Sequence, residues 1–321
     1  MTEHQASEIG PCPKVGVVND KVSDPQQPGP WLARAKINLY LHVTDRRADG
    51  YHCLDSLVVF ADIGDTVMVE ENDALTLDIV GPFANELQAD ESNLVWQAAT
   101  ALAKTAGRDA QISAPRPPWA RITLHKSLPI AAGIGGGSAD AAATLLALRS
   151  LWDISIDDEA LAALAAPLGA DVPLCLTTAP SMITGIGHDV TKAAPLPPFA
   201  ILLANPMQPL STAAVFEKLA MPVPNRQSWR DEPMQQDDFF QTLSGFRNDL
   251  EAPARALCPV LDDVLAAIGK LPHCRLTRMS GSGATCFGLF DDLGDAEAAA
   301  ALLLGQRANW WVRACSIGGT L

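Results

Sequence analysis

A glycine-rich segment near the middle of the chain is the strongest local indication of a ligand site. Gly133, Gly135, Gly136 and Gly137 come just before Ser138 and an Ala- and Leu-rich stretch typical of a helix. Glycine tolerates positive φ and lets the backbone approach a ligand closely. The N–H groups and the positive dipole end at a helix start favour an anion, above all phosphate. The spacing therefore predicts a phosphate-binding loop.

Two common phosphate-binding motifs do not fit this segment. A Walker A loop needs a lysine before the Ser or Thr at the helix start, but Gly137 directly precedes Ser138. The dinucleotide motif G-x-G-x-x-G fails because the sixth position is Ser138 counted from Gly133 and Asp140 counted from Gly135. A tight turn with Ser138 as a helix cap would explain some of the glycines. Four glycines in five residues exceed what a turn needs, so we favour phosphate.

The composition limits which partners the chain can have. It has 321 residues, with 23 Lys and Arg against 37 Asp and Glu, which gives a formal net charge of −14. This acidic balance argues against broad nucleic-acid binding and against adhesion to anionic lipid. We therefore expect no nucleic-acid or membrane partner, and no motif implies a protein partner. A phosphorylated small molecule needs only a local cradle and is compatible with the charge.

The cysteines and apolar stretches indicate a cytoplasmic protein. The seven cysteines are scattered and never form a CxxC pair, and no two histidines stand four residues apart. This pattern predicts reduced cysteines, with neither a disulfide framework nor a structural zinc site. The apolar runs are shorter than the roughly 18 residues that a membrane span needs. The N-terminus lacks the apolar core of a signal peptide.

The remaining pattern predicts an α+β fold of two domains. Residues 1–30 contain five prolines and no hydrophobic period, so we expect a disordered arm. Prolines at 195, 197 and 198 place a domain boundary between 31–194 and 199–321. Periodicity predicts strands over 36–43, 66–70, 75–80, 120–124, 199–204, 275–279, 286–290 and 310–315. It predicts a helix that is capped by Ser92 and ends near 106, and further helices over 139–152, 157–168, 212–219, 249–257, 260–268 and 295–304. A surface loop is expected over 222–238.

The first of these strands bears on chemistry. In KINLYLHV (36–43), Ile37 and Leu39 alternate with Lys36 and Asn38. Successive side chains of a strand point to opposite faces. The alternation therefore predicts a half-buried strand with Lys36 and Asn38 together on its polar face.

The glycine-rich segment resembles the second motif of the GHMP kinases, a family that phosphorylates small molecules. The family pattern is Pro-x-x-x-Gly-Leu-Gly-Ser-Ser-Ala, and Pro129 and Gly133 stand in this frame together with Gly135 and Ser138. Ile134 replaces the usual Leu of that pattern, and Ala139 replaces a common second Ser. RMSGSGATCFGLF (278–290) resembles the C-terminal glycine motif of the same family.

Other segments are similar to one branch of this family, the kinases that act on a cytidine-diphosphate-linked methylerythritol. They are ARAKINLYLHVTDRRADGYHCLDSLVVFADIGD (33–65), LGADVP (168–173) and RNDLE (247–251). The resemblance implies an S5-like N-terminal domain and a ferredoxin-like C-terminal domain. It also implies ATP as phosphoryl donor with Mg²⁺, and a small-molecule cytidyl substrate. Another GHMP kinase and a non-catalytic nucleotide-binding module of the same fold are the alternatives.

The resemblance assigns catalysis to two residues. Asp171, in the GADVP segment, would accept the proton of the attacking hydroxyl, and Lys36 would supply a cation beside it. Asn38 would bind the erythritol part of the substrate. Without the resemblance, Asp171 would be interpreted as a turn or cap residue, and Lys36 as a solvated side chain. The sequence alone does not show that Lys36 and Asp171 meet.

The resemblance also assigns the cytidine end of the substrate. Tyr51 would stack on the pyrimidine and His52 would hydrogen-bond to its polar edge, while Phe216 would cover the other face with Thr212 nearby. Base–aromatic stacking contributes roughly 1–3 kcal/mol. The alternatives are a hairpin turn for Tyr51 and His52, and a core helix position for Phe216.

The ATP contacts that the resemblance implies lie in the glycine-rich segment. We assign them to Pro129, Ala132, Gly133, Ile134, Gly135, Gly136, Gly137, Ser138 and Ala139. The ligands of Mg²⁺ are not assigned. Ser138 and Asp140 are candidates by position, and capping of the helix explains both equally well.

Overall fold

The computed structural model describes residues 29–106, 119–187, 189–220 and 227–317. The arm predicted over 1–30 lies almost wholly outside these residues, as does the first part of the loop predicted over 222–238. The α+β prediction is confirmed. None of the helices in the described part of the chain combines the length and apolar character that crossing a membrane requires.

The secondary structure follows the predicted order of elements. The strands are β1 (Trp31–Arg46), β2 (His52–Asn72), β3 (Thr76–Val80), β4 (Trp119–His125), β5 (Ser181–Gly185), β6 (Asp189–Lys192), β7 (Phe199–Asn205), β8 (Leu276–Met279), β9 (Cys286–Phe290) and β10 (Trp311–Ile317). The helices are α1 (Leu94–Ala106), α2 (Gly136–Leu151), α3 (Asp158–Ala165), α4 (Val172–Cys175), α5 (Thr212–Glu217), α6 (Gln236–Ser244), α7 (Glu251–Leu257), α8 (Val260–Gly269) and α9 (Leu293–Gln306).

The strands form two sheets in the described part of the chain. The first has the order β3-β4-β2-β5-β6, with β1 antiparallel to β2. Its strands pair antiparallel, except that β3 runs parallel to β4. The second sheet has the order β10-β7-β9-β8, with antiparallel pairing throughout.

The two sheets lie face to face between two layers of helices. One core joins the first sheet to α1, α2 and α3 through residues such as Val58, Val95 and Leu145. A middle core joins the two sheets, for example Ile37 to Phe287. The third core joins the second sheet to α7, α8 and α9. Because the sheets share the middle core, the two domains predicted at 31–194 and 199–321 pack on each other, and their bounds stay a prediction.

The prediction of a half-buried β1 is wrong, because both faces of this strand are covered. Ile37 and Leu39 are fully buried in the core between the sheets. Lys36 and Asn38, on the other face, are only 7% and 3% exposed. The two polar side chains share a face as predicted, but that face lies against other parts of the chain and not against open solvent.

Several other boundaries differ from the sequence expectation. β2 is a single strand of 21 residues, of which the sequence indicated only 66–70. α6 begins at Gln236, inside the predicted loop, because Phe239, Phe240 and Leu243 give it a buried face. β5, β6 and α4 were not predicted. They are four or five residues long, so each gives only a weak periodic signal.

The starts of α1 and α2 also differ from the sequence expectation. Asn93, and not Ser92, caps α1, since its Oδ1 accepts the N–H of Val95 at 2.9 Å. α2 begins at Gly136, after Gly135 in the left-handed conformation. No side chain caps α2, so the capping role considered for Ser138 and Asp140 is wrong.

A buried charge cluster joins α2 to the first sheet. Lys126, 1% exposed, donates to Oδ2 of Asp140 at 2.7 Å and to Oδ2 of Asp65. The other oxygen of Asp65 accepts the N–H groups of Ser127 and Leu128. Burial would lower the pKa of Lys126, but Asp140 and Asp65 together raise it. The cluster ties together β2, the end of β4 and the second turn of α2.

Removing the cation from this cluster should destabilise the fold strongly. Lys126→Met leaves Asp65 and Asp140 buried side by side without a positive partner, and breaking a buried ion pair in this way costs about 3–5 kcal/mol. Urea unfolding followed by circular dichroism measures the change. Arg255→Ala is the control, because its pairs with Asp262 and Glu251 are exposed and should contribute no more than about 1 kcal/mol. Equal midpoints for the two variants would contradict the role of the cluster.

Candidate active site

A cavity of about 520 Å³ opens beside the glycine-rich segment. It is bounded by β1, the start of α2, the residue before α4, the start of α5 and the loop between β8 and β9. Twelve of the residues predicted from the sequence line it: Lys36, Asn38, Pro129, Ala132, Gly133, Gly135, Gly136, Gly137, Ser138, Asp171, Thr212 and Phe216.

Four predicted site residues do not line this cavity. The side chains of Ile134 and Ala139 lie in the hydrophobic cores on either side of the first sheet. Ile134 also uses its carbonyl oxygen to accept the N–H of Lys36 at 2.8 Å. Tyr51, 63% exposed, precedes the first residue of β2, His52. His52 contacts the cavity lining indirectly, because its ring stacks on that of Phe216.

Lys36 and Asp171 form an ion pair at the cavity wall. The Nζ of Lys36 lies 2.7 Å from Oδ2 of Asp171. The side chain of Lys36 is 9% exposed, whereas that of Asp171 is 34% exposed. Asp171 precedes α4 but makes no capping hydrogen bond, so the cap interpretation does not explain its side chain. A carboxylate held by a buried ammonium and open to the cavity can accept a proton from a bound hydroxyl.

The glycine-rich segment forms the wall next to this pair. Gly133 and Gly135 both have positive φ, 72° and 66°. A Cβ on Gly135 would lie 3.1 Å from the Cβ of Lys36, closer than ordinary packing allows. α2 starts at the next residue, and its first residues, whose N–H groups have no partner within the helix, line the cavity. The wall therefore presents backbone donors and no bulky side chain, as an anion site requires.

Asn38 offers the cavity an unused acceptor. Its Nδ2 donates to Oγ of Ser56 at 2.8 Å. Its Oδ1 is buried and has no hydrogen-bond partner. A buried amide oxygen that has no hydrogen-bond partner destabilises the protein. This atom is therefore suited to accept a hydrogen bond from a hydroxyl group of a bound molecule.

An aromatic pair lies at the α5 end of the cavity, with Phe216 in the cavity lining and His52 stacked on it. The rings of His52 and Phe216 stack with centroids 5.0 Å apart and an interplanar angle of 28°. Ser211 caps α5 by accepting the N–H of Ala214, which fixes the helix that carries Phe216. Burial lowers the pKa of His52, and Arg46 lowers it further. The imidazole is therefore neutral at pH 7 and has one donor and one acceptor.

The structure adds residues to the site that the sequence did not assign. Gly281 and Ser282, from the C-terminal glycine motif, line the cavity next to Gly133. At the other end Ser92, Asn93 and Leu94 line it where α1 begins. The motif at 278–290 was a usable signal for the first pair, whereas only the tertiary fold brings the start of α1 to the cavity.

Metal-ligating side chains do not gather at this site. Across the described ranges, no group of three or more His, Cys, Asp or Glu residues could hold a metal ion. Asp140 also lines the cavity; its Oδ2 accepts a hydrogen bond from Lys126, and its Oδ1 is buried without a hydrogen-bond partner. Ser138 lines the cavity and has an oxygen donor of the kind that Mg²⁺ accepts.

The profiles of known families match both halves of the chain. The GHMP kinases N terminal domain matches residues 93–178, and the GHMP kinases C terminal domain matches residues 236–303. The first match spans the glycine-rich segment and Asp171, and the second spans the C-terminal glycine motif.

Curated relatives match almost the whole chain. One from Cereibacter sphaeroides, named 4-diphosphocytidyl-2-C-methyl-D-erythritol kinase, is 47% identical over 90% of this chain and 99% of its own. A protein of the same name from Rhodospirillum rubrum is 45% identical, over 88% and 90% of the two chains.

Solved structures share the fold. The crystal structure of a 4-(cytidine 5'-diphospho)-2C-methyl-D-erythritol kinase superposes with a TM-score of 0.73 at 33% identity, over 91% of this chain and all of the other. A mevalonate kinase from L. major gives a TM-score of 0.61 at 13% identity, over 92% and 98% of the two chains, which shows a common fold.

Proposed function

The chain belongs to the 4-diphosphocytidyl-2-C-methyl-D-erythritol kinases of the GHMP kinase family, and we propose that the cavity beside its glycine-rich segment is the site of phosphoryl transfer. The protein is a small-molecule kinase of the non-mevalonate isoprenoid pathway. It transfers the terminal phosphoryl group of ATP to the 2-hydroxyl of 4-diphosphocytidyl-2-C-methyl-D-erythritol, giving the 2-phosphate and ADP.

The observation that carries the assignment of the site is the Lys36–Asp171 ion pair next to the glycine-rich segment. Asp171 takes the proton from the 2-hydroxyl of the substrate while the oxygen of that hydroxyl attacks the terminal phosphorus of ATP. One P–O bond forms, and the bond between that phosphorus and ADP breaks. Lys36 holds Asp171 in place and stabilises the negative charge that develops on the attacking oxygen.

ATP binds with its phosphates along the segment from Gly133 to Ser138. The positive φ of Gly133 and Gly135 and the free N–H groups at the start of α2 support this placement. Mg²⁺ accompanies ATP and neutralises phosphate charge in such transfers. Since Mg²⁺ is usually bound by one or two protein oxygens plus the phosphates, Ser138, one of the residues that line the cavity, fits it.

The substrate occupies the rest of the cavity. The unpaired Oδ1 of Asn38 accepts a hydrogen bond from a hydroxyl group of the erythritol part. The cytidine lies at the end near α5, where Phe216 and Tyr51 stack on the base and His52 hydrogen-bonds to its edge. Thr212 supplies a further polar contact. The cytoplasm, as the place of the reaction, remains a prediction from the cysteine pattern.

Replacing the proposed base should block chemistry and spare binding. Asp171→Asn keeps the size of the side chain but cannot take a proton, so kcat should fall by roughly 10²- to 10⁴-fold. The affinity for ADP should stay within a few-fold of wild type by calorimetry. Lys36→Met should also lose kcat, with the melting temperature showing that the chain is folded.

The control for these variants is Asp158→Asn, because Asp158 is almost fully exposed and pairs with Arg149 at the surface. Its kcat should equal that of wild type. If Asp171→Asn retained most of its kcat in the same assay of ADP release, Asp171 would not be the base.

Removing the aromatic rings should affect one substrate and not the other. Tyr51→Ala and Phe216→Ala lose stacking of roughly 1–3 kcal/mol, so the KM for the cytidyl substrate should rise about 5- to 150-fold. The KM for ATP should stay within about twofold, since the ATP phosphates bind elsewhere. Leu302→Ala, which removes a half-exposed apolar side chain from α9, should change neither constant.

Steady-state ADP release with each substrate varied in turn measures both constants. Homoserine and mevalonate, offered in place of the cytidyl substrate, should give no turnover. A rise confined to the KM for ATP, or turnover with either simple alcohol, would contradict the assignment of the cytidine end.

A further inference from the structure

The C-terminal glycine loop, defined here as residues 280–283, contacts both halves of the active site. Oγ of Ser280 donates to the carbonyl oxygen of Gly133 at 3.1 Å and accepts the N–H of Asn38 at 3.2 Å. Oγ of Ser282 lies 2.7 Å from Oγ1 of Thr212. One short loop therefore joins the proposed ATP wall to two proposed substrate residues.

The C-terminal glycine loop and the ATP wall meet backbone to backbone. A Cβ on Gly133 would lie 2.6 Å from the carbonyl oxygen of Gly283 and 2.7 Å from that of Ser280. A Cβ on Gly281 would lie 2.7 Å from the carbonyl oxygen of Gly133. The amide of Thr285 adds a hydrogen bond to the carbonyl of Ala132 at 3.1 Å. With no side chain between the two segments, a displacement of one must displace the other.

Asn248 holds the C-terminal glycine loop through hydrogen bonds to its backbone. This side chain is 5% exposed and does not line the cavity. Its Nδ2 donates to the carbonyl oxygens of Met279 at 2.8 Å and Gly281 at 2.7 Å. Its Oδ1 accepts the N–H of Leu250 at 2.9 Å. Both N–H bonds of the amide thus go to the segment that ends in the loop.

The backbone that carries Asn248 is itself fixed to β1. The N–H of Leu41 donates to the carbonyl oxygen of Arg247 at 3.1 Å, and the N–H of Asp249 donates to the carbonyl oxygen of Leu41 at 2.8 Å. β1 also carries Lys36 and Asn38. Asn248 therefore connects the strand with the catalytic lysine to the loop that contacts the ATP wall.

We propose that Asn248 is a positioning residue for phosphoryl transfer, which holds the C-terminal glycine loop so that the ATP wall and the substrate residues keep their mutual placement. The inference rests on the proposed function of the cavity. Asn248 touches neither substrate. It binds the backbone at Met279 and Gly281 and thereby fixes Ser280 and Ser282. In this way it affects how ATP and the substrate are aligned in the reacting complex.

The amide chemistry makes the role testable, because only a side chain with two N–H donors can bind both carbonyls. Asn248→Asp has nearly the same shape but presents a carboxylate oxygen to the two carbonyl oxygens, which repel it. We expect kcat to fall roughly 10- to 100-fold, the scale of a misplacement of about 1 Å. The KM for ATP and for the cytidyl substrate should change only a few-fold. For Asn248→Ala, we expect a fall in kcat of the same size.

Asp249→Ala is the matched control. Asp249 is the next residue, is 7% exposed, and accepts the N–H of Val43 at 2.8 Å and the Nε of Arg247 at 2.6 Å. None of these bonds reaches the C-terminal glycine loop. The control should lower the melting temperature at least as much as Asn248→Asp, yet keep kcat within about threefold of wild type.

A double-mutant cycle with Ser280→Ala tests the route. If Asn248 acts through the loop, the double variant should lose much less kcat than the product of the two single losses. Losses that multiply would overturn the proposal. A kcat within threefold of wild type for Asn248→Asp, or equal losses of kcat in Asn248→Asp and Asp249→Ala, would also overturn it.

Two further measurements keep the outcomes distinct. Circular dichroism shows whether the Asn248 variants fold. If they do not, the kcat of Ser280→Ala is the deciding measurement, and a wild-type kcat for that variant overturns the inference. Wild-type enzyme is assayed first with ATP and the cytidyl substrate. Absence of turnover there would contradict the proposed function, whereas an active wild type with unaffected variants would contradict only the role of Asn248.

Discussion

The ion pair between Lys36 and Asp171 is the interaction on which the organisation of the site depends. The two residues are 135 positions apart in the chain, and their side chains meet at 2.7 Å. Holding them together requires β1 to lie in the interior, with the second sheet on one face and α2 and α4 near the other. The four-layer arrangement provides this, because the core between the sheets buries Ile37 and Leu39 while Lys36 points the opposite way. The geometry of this ion pair is thus a consequence of how β1 is covered.

Backbone, more than side chains, forms the wall where an anion would bind. The chain is acidic overall, with a net charge of −14, so general electrostatic attraction does not favour ATP. The left-handed Gly133 and Gly135 and the start of α2 supply local donors instead. Behind them, Lys126 joins Asp65 and Asp140 and fixes the first turns of α2. The C-terminal glycine loop packs on Gly133 from the other side. A site made in this way depends on close approach, which explains why its key positions have no Cβ.

Most residues that the sequence singled out line one cavity, whereas their surroundings were predicted less well. The spacing of glycines before an Ala-rich stretch predicted a phosphate loop. The resemblance to GHMP kinases singled out Lys36, Asn38 and Asp171, and the structure brings these three residues to one cavity. The resemblance also implied ATP contacts for Ile134 and Ala139, whose side chains lie in hydrophobic cores. Ser92 was expected to cap α1, but Asn93 does so. Helix starts depend on which of two adjacent polar residues has the right backbone conformation, and local sequence does not decide that.

What the sequence by itself determined is the set of local features: the α+β class, the glycine-rich segment before α2, the shared face of Lys36 and Asn38, and the family. These follow from residue type and spacing over a few turns. Only the tertiary structure decided that Lys36 is buried, that Asp140 pairs with Lys126 instead of capping α2, and that Asn248 holds the loop next to Gly133. Each of these depends on contacts between residues far apart in the chain. Such contacts are fixed by the packing of two sheets and their helices. The periodicity of residues along the chain does not encode this packing.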